Sequence, residues 1–314
     1  MLSLSLSVAV AATAALSLTS CGKKTYVVGI CQLVQHPALD AATKGFKDAL
    51  IEEFGDSITF DEQNASNDSG TCSTIVTSFV SKNVDLIMAN ATPALQAAYN
   101  GTTTIPILGT SITEYGVALE LQNFNGTVGN NVSGTSDLAP LDQQGEMILE
   151  LFPDVQKVGL LFCSAEPNSL YQVTVMEQFL QAHNVTTARY TFSDTNDVAA
   201  VTTAAATACD VLYIPTDNTA ASCAETIGAI VREKHVPVVA GEEGICSGCG
   251  VASLSISYYD LGVTTGKMAV KILKGQAKVA EMPIEYTSAK KVYNAEICEE
   301  LGITVPSTYT PISK

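Results

Sequence analysis

The sequence predicts an α/β protein of two Rossmann-like lobes, each built on a parallel sheet and joined by a hinge. Three observations lead there. The chain has 314 residues, more than a single hydrophobic core usually organises, so two domains are the natural expectation. From Tyr26 onward, short runs rich in Val, Ile and Leu alternate with amphipathic stretches, the mark of strand–helix–strand units around a parallel sheet. That series runs through twice. One further strand and helix follow it without a strand series of their own, as they would if the chain visited two lobes and then returned to the first.

Taken in order, residues 26–33 read as the first strand. Residues 37–54 read as a helix with Ala38, Leu39, Ala42, Phe46, Ala49, Leu50 and Phe54 as its apolar positions, stopped by Gly55. A strand over 57–63 and a helix over 71–82 follow, then strand 85–89, helix 93–99 and strand 105–108. A run of Gly, Asn and Ser over 125–136 breaks the rhythm and reads as the crossover between lobes. Beyond it lies a helix over 138–152, stopped by Pro153. Strands are expected over 157–163, 186–192, 210–214 and 237–240, with helices over 170–182, 198–208 and 220–234 between them. The leftover strand is 250–256 and the leftover helix 259–274, capped by Gly275. The expected division is 26–134 plus about 251–280 for the N-terminal lobe, and 135–250 plus about 281–314 for the C-terminal lobe.

Residues 1–20 carry no charge and end in Leu18-Thr19-Ser20 before Cys21-Gly22, a small-residue cleavage pattern that reads as a lipoprotein signal peptide. The stretch is also about long enough to cross a bilayer. Roughly half of it is Ser, Thr or Ala, however, and no Lys or Arg precedes the apolar run. Read as a signal, it leaves Cys21 as the lipidated N-terminus, 21–25 as a tether, and the remainder extracytoplasmic on a bacterial membrane.

The formal charge is −16, from 32 Asp and Glu against 16 Lys and Arg. That balance is a poor match for nucleic acid, whose binding rests on Lys and Arg contacts to phosphates, and it suits a soluble surface. Of nine cysteines, eight besides Cys21 are scattered without the framework of a small disulfide-stapled domain. Cys31, Cys163 and Cys209 sit in or beside apolar runs, where a cysteine often acts as a small buried hydrophobe. Cys246 and Cys249 form the one tight pair. Free thiols, a local disulfide and metal or redox chemistry are all compatible with it, but a structural zinc needs four ligands and no second close Cys or His pair exists. Free thiols, as in a protein from an anaerobic source, are the expectation.

In open parallel sheets ligands bind beyond the carboxyl ends of the strands, so the polar residues there are the candidate site. After the first strand comes 32–40 with Gln32 and His36, after the third Asn90-Ala91-Thr92-Pro93, and after the fourth Gly109-Thr110-Ser111. In the second series, Ser164-Ala165-Glu166-Pro167-Asn168-Ser169 follows one strand and Pro215-Thr216-Asp217-Asn218-Thr219 another. Helix N-termini and hydroxyls such as Thr92, Ser169 and Thr219 suit a carboxylate, whereas Glu166 and Asp217 suit an ammonium group. Together they describe a site for a zwitterion such as an amino acid. The same residue types also cap helices where no ligand exists. Asp217-Asn218 and Glu166 with Asn168 offer more side chains than one cap uses, whereas His36 before Pro37 could serve only as a turn or packing residue.

Catalytic arrangements are sparse. The three histidines, His36, His183 and His235, have no metal-ligand spacing. No nucleophile elbow, phosphate-cradling loop or dinucleotide fingerprint occurs. Glu166 and Asp217 could face each other as a glycosidase pair, but they lie on loops whose separation the sequence does not determine.

Gly29-Ile30-Cys31-Gln32 with His36-Pro37-Ala38-Leu39-Asp40, Glu166-Pro167-Asn168-Ser169 and Pro215-Thr216-Asp217-Asn218-Thr219 occur together. Asp85-Leu86-Ile87, Ala91-Thr92-Pro93-Ala94, Asn131-Val132-Ser133-Gly134-Thr135-Ser136-Asp137 and Ser257-Tyr258-Tyr259-Asp260-Leu261-Gly262 extend the pattern over almost the whole chain after Cys21. In these motifs the chain resembles the substrate-binding proteins of ABC importers of the tryptophan/tyrosine type. The resemblance implies a type I periplasmic-binding fold, closure of the lobes on an aromatic amino acid, delivery to an ABC permease, and no enzymatic activity or cofactor. A monomer is expected. Carried over by position, it lines the cleft with Gln32, His36, Thr92, Glu166, Asn168, Ser169, Asp217 and Asn218. Asp217, with Glu166, would take the ammonium; Thr92, Asn168 and Ser169 would take the carboxylate. Glu114-Tyr115 stands where the family usually has Asp-Pro, so Tyr115 could stack on the ligand or fill space. A ligand-sensing receptor of the same fold, or a surface hydrolase, is the alternative.

Overall fold

Each strand series forms its own sheet in the computed structural model, which describes residues 24–312; the expected signal segment and Cys21 lie outside them. The first lobe runs β1 (Tyr26–Gln32), α1 (Pro37–Phe54), β2 (Ile58–Asn64), α2 (Ser69–Lys82), β3 (Leu86–Asn90), α3 (Thr92–Gly101), β4 (Ile107–Ile112), α4 (Tyr115–Ala118) and β5 (Val132–Ser136). Its strands pair in the parallel order β2-β1-β3-β4-β5. β3, β4 and β5 are buried at every position, because helices cover both faces of a parallel sheet. One apolar layer, including Phe79 and Leu95, packs on the α2/α3 face. The other, including Phe46 and Met268, packs on the opposite face.

The second lobe repeats the scheme with α5 (Leu141–Leu151), β6 (Lys157–Cys163), α6 (Pro167–Ala182), β7 (Thr186–Phe192), α7 (Val198–Ala208), β8 (Val211–Ile214), α8 (Asn218–Ser222), α9 (Ala224–Glu233), β9 (Val238–Ala240), α10 (Glu243–Cys249) and β10 (Ala252–Ile256). The order β7-β6-β8-β9-β10 mirrors that of the first sheet. The helix expected over 220–234 is two helices, α8 and α9, broken at Cys223. The chain then returns through α11 (Tyr258–Leu273), which lies on α1 in the first lobe, and β11 (Glu285–Tyr286), which pairs with β5. β12 (Ala289–Tyr293), α12 (Ala295–Glu300) and β13 (Thr310–Pro311) finish the second lobe. The lobes are therefore joined by three crossings: residues 137–140, Ser257, and residues 287–288.

Two expected boundaries move. The strand at 252–256 belongs to the second sheet, where Ala252 pairs with Val239, so only the helix of the 251–280 segment joins the first lobe. Conversely, β11 falls in the first sheet although 281–314 was assigned to the second lobe. The Gly/Asn/Ser run expected as the crossover ends in an inner strand, which puts the crossing at 137–140. Its polarity is misleading because the hydroxyls within the strand are paired: Ser133 donates to the Met282 carbonyl (2.9 Å), Thr135 pairs with Thr265 (2.8 Å) and Ser136 donates to the Thr113 carbonyl (2.8 Å). Small side chains also let strands approach closely, and at Gly134, with φ 146°, a side chain would collide with the Gly109 carbonyl.

The eight cysteines among the described residues are free thiols, seven of them buried. Cys246 and Cys249 point into the apolar layer beneath α10, and no cluster of side chains among the described residues could hold a metal ion.

A closed cavity between the lobes as the candidate site

Both sheets reverse strand order at their second strand, between β1 and β3 and between β6 and β8, and such switch points open a crevice beyond the strand ends. The loops that leave those ends meet across the hinge. His36 after β1, Ser111 and Thr113 at the end of β4, Asn168 at the start of α6, Thr216, Asp217 and Asn218 after β8, and Glu242 after β9 line one small cavity of about 10 Å³. Ala221 and two hinge residues, Asp137 and Tyr258, complete the wall.

The lobes are closed on one another. His36 Nε2 lies 3.4 Å from Asn218 Oδ1, and the Asn67 amide donates to Thr219 Oγ1 at 3.1 Å. His36 is buried at the start of α1, and desolvation holds its imidazole below the usual pKa, which favours the neutral ring.

The second lobe's wall is held by two carboxylates with different duties. Glu166 accepts five hydrogen bonds: the Thr219 N–H (2.9 Å) and hydroxyl (2.8 Å), the Asn218 N–H (3.0 Å) and amide (2.7 Å), and the Asn168 amide (3.1 Å). It therefore anchors the start of α8 to the β6 loop. Asp217 caps α8 through the Ala220 N–H (2.8 Å) and accepts the Cys163 N–H (2.7 Å). Burial and the neighbouring Glu166 charge push its pKa up, against those two bonds. Glu242 caps α10 by accepting the Gly244 (2.6 Å) and Ile245 (2.5 Å) N–H groups, and burial raises it to about 7. Asp137 is raised by burial to about 6; Tyr258 donates to its Oδ2 at 2.9 Å.

Four polar atoms of the cavity wall have no hydrogen-bond partner: His36 Nδ1, Ser111 Oγ, Asp137 Oδ1 and Asn168 Oδ1. Buried polar atoms are rarely left so, and here they come from both lobes and the hinge. No Lys or Arg lines the cavity. A larger open groove, about 330 Å³, lies beside the hinge and shares Glu242 and Tyr258, but none of the unpartnered buried atoms belongs to it.

Of the residues singled out from sequence, His36, Asn168, Asp217 and Asn218 line the cavity. Gln32 is turned to its own lobe, where it accepts from Thr43 (2.6 Å) and donates to Asp40 (2.7 Å). Thr92 is buried at the start of α3, and Glu166 and Ser169 stand behind the wall. Tyr115 fills space inside the first lobe, stacked on Phe124 and bonded to the Thr135 carbonyl, and Tyr258 packs in the hinge. Sequence reasoning missed Thr113, Asp137 and Glu242 as cavity residues. The strand-end rule applied to β9 would have found Glu242; Asp137 follows a strand that had read as a linker.

Two lobes of like topology, three crossings and a cavity between them define a ligand-binding protein of the type I periplasmic-binding fold. The chain belongs to the ABC transporter substrate-binding protein family, which it matches over residues 27–310. It is 37% identical over 268 residues to a tyrosine-binding protein of Clostridioides difficile, covering 83% of this chain and 76% of that one. Among solved structures it is similar to an ABC domain from Streptococcus pneumoniae in complex with L-Trp, with 34% identity and a TM-score of 0.86 over 90% of this chain and 97% of the other. A Clostridium difficile substrate-binding protein with adhesive properties, in a ligand-free, open structure, is 36% identical with a TM-score of 0.70, over 92% and 100% of the two chains. At nearly equal identity, the better superposition is on the liganded protein, in keeping with the closed lobes.

Proposed function

We propose that this chain is the extracytoplasmic, lipid-anchored solute-binding protein of an ABC importer, and that its cleft closes on an aromatic amino acid and presents it to a permease. The observation that carries the reading is the convergence of unpartnered donors and acceptors from both lobes on one enclosed cavity. Acceptors without a cationic neighbour suit an ammonium group. The Ser111 hydroxyl is a donor for a carboxylate, and the neutral His36 ring, whose Nε2–H faces Asn218 Oδ1, leaves Nδ1 as a further acceptor. The aromatic side chain is supported by the tyrosine-binding relative and the L-Trp complex. Lipidation at Cys21 is supported by the Leu18–Gly22 pattern. His36, Asn168, Asp217 and Asn218 face the ligand in this reading, with Gln32, Thr92, Glu166 and Ser169 supporting them. The task is binding without turnover, performed as a monomer.

Purified protein is expected to melt higher with L-Trp, L-Tyr or L-Phe, since a ligand at about 100 times its Kd adds about 2.7 kcal/mol to the folded state. The shift should shrink in Asp217→Ala. No shift with any amino acid refutes the ligand class.

A further inference from the structure

Four carboxylates stand in or just behind the cavity wall, and hydrogen-bond bookkeeping separates them. Both oxygens of Glu166, of Asp217 and of Glu242 already accept N–H or O–H donors from their own lobe. Asp137 differs: its Oδ2 accepts from Tyr258, the Thr113 hydroxyl beside it helps hold down its pKa, its Oδ1 is left without a hydrogen-bond partner, and the residue is only 4% exposed. Its position differs as well. Asp137 is the first residue after β5, at the first crossing between lobes, and Tyr258 begins α11, just past the second.

We infer that Asp137 is the acceptor of the ligand's ammonium group, and that this contact latches the closed hinge. The inference rests on the amino acid reading above and adds a residue and a coupling to it. An ammonium has three donors and no acceptor. Asp137 Oδ1 supplies a charged acceptor and Asn168 Oδ1 a neutral one from the second lobe, each otherwise unpartnered. An ammonium shared by the two spans the hinge and the second lobe, and the Tyr258 bond carries its pull to the helix that packs on α1. Asp217 and Glu166, the acids the sequence favours for this role, instead shape the wall.

The test compares L-Trp with indole-3-propionate, which lacks the ammonium, and with tryptamine, which lacks the carboxylate. Binding can be read by ligand fluorescence because the protein has no Trp. Asp137→Asn keeps an oxygen for Tyr258 and is expected to weaken L-Trp and tryptamine by about 30-fold or more while leaving indole-3-propionate unchanged. Equal losses for all three ligands, or an unchanged L-Trp affinity, overturn the assignment. Should Asp137→Asn fail to fold, Tyr258→Phe serves: L-Trp should weaken several-fold with its preference over indole-3-propionate intact, and no weakening overturns the latch. If the wild type takes tryptamine in preference to every amino acid, the amino acid reading falls and Asp137 stands. If it binds none of these ligands, both fall.

Discussion

His36, Asn168, Asp217 and Asn218 were visible from sequence because they follow strand ends, where the chain direction alone delivers side chains to the cleft. Gln32 and Thr92 also follow strand ends yet turn inward, a matter of which side of the turn each residue takes. The buried acids carry a pH consequence. Asp137 near 6 and Glu242 near 7 hold protons in the folded state that the unfolded chain releases at about pH 4. Their contribution to ligand-free stability is therefore full below about pH 4 and is lost as pH climbs through about 6 and 7. Surface acids such as Asp61 and Glu150, held low by Lys82 and Lys291, pull the other way. The readout is thus a difference: melting of Glu242→Gln should fall less than that of wild type between about pH 5 and pH 7. Parallel curves would rule this out. An ammonium ligand prefers ionised acids, so its affinity should rise over the same interval.

Among the elements, the pairing of α1 with α11 holds the returning chain to the first lobe. A side chain on Gly262 would strike the Ala42 carbonyl, and one on Gly45 the Tyr259 carbonyl. The helices touch backbone to backbone, and no rotamer change relieves an added methyl. Gly262→Ala is expected to destabilise the protein by about 1–3 kcal/mol, seen as a lower denaturant midpoint with an unchanged slope. A wild-type midpoint would show that the helices can separate freely. The bounds of β6, β7, α1 and α7 were legible to the residue, because their apolar runs end at clear turn or capping residues. β5 was not, since a buried strand made of Val, Ser, Gly and Thr looks like a linker until its hydroxyls find their carbonyls.

For the molecule as a whole, closure is held by few direct bonds. The Asn67–Thr219 bond crosses between lobes, and Asn67 is absent from the cavity wall. Asn67→Ala should therefore weaken L-Trp by about fivefold, roughly 1 kcal/mol, with no change in ligand selectivity. Scattering profiles should show the ligand-free variant more open than wild type; unchanged affinity and shape would remove the bond from the closing mechanism. By itself the sequence determined the α/β class, the two lobes, the family resemblance and, of the eight site residues it singled out, the four that line the cavity, since strand–helix periodicity and strand-end chemistry are local properties. The tertiary structure alone decided which lobe each C-terminal strand joins, because pairing partners far apart in the chain make that choice. It also decided which acids remain free. Whether a carboxylate oxygen is already taken depends on donors from other loops, as Thr219 serves Glu166 and Cys163 serves Asp217, and only the folded chain brings those donors within reach.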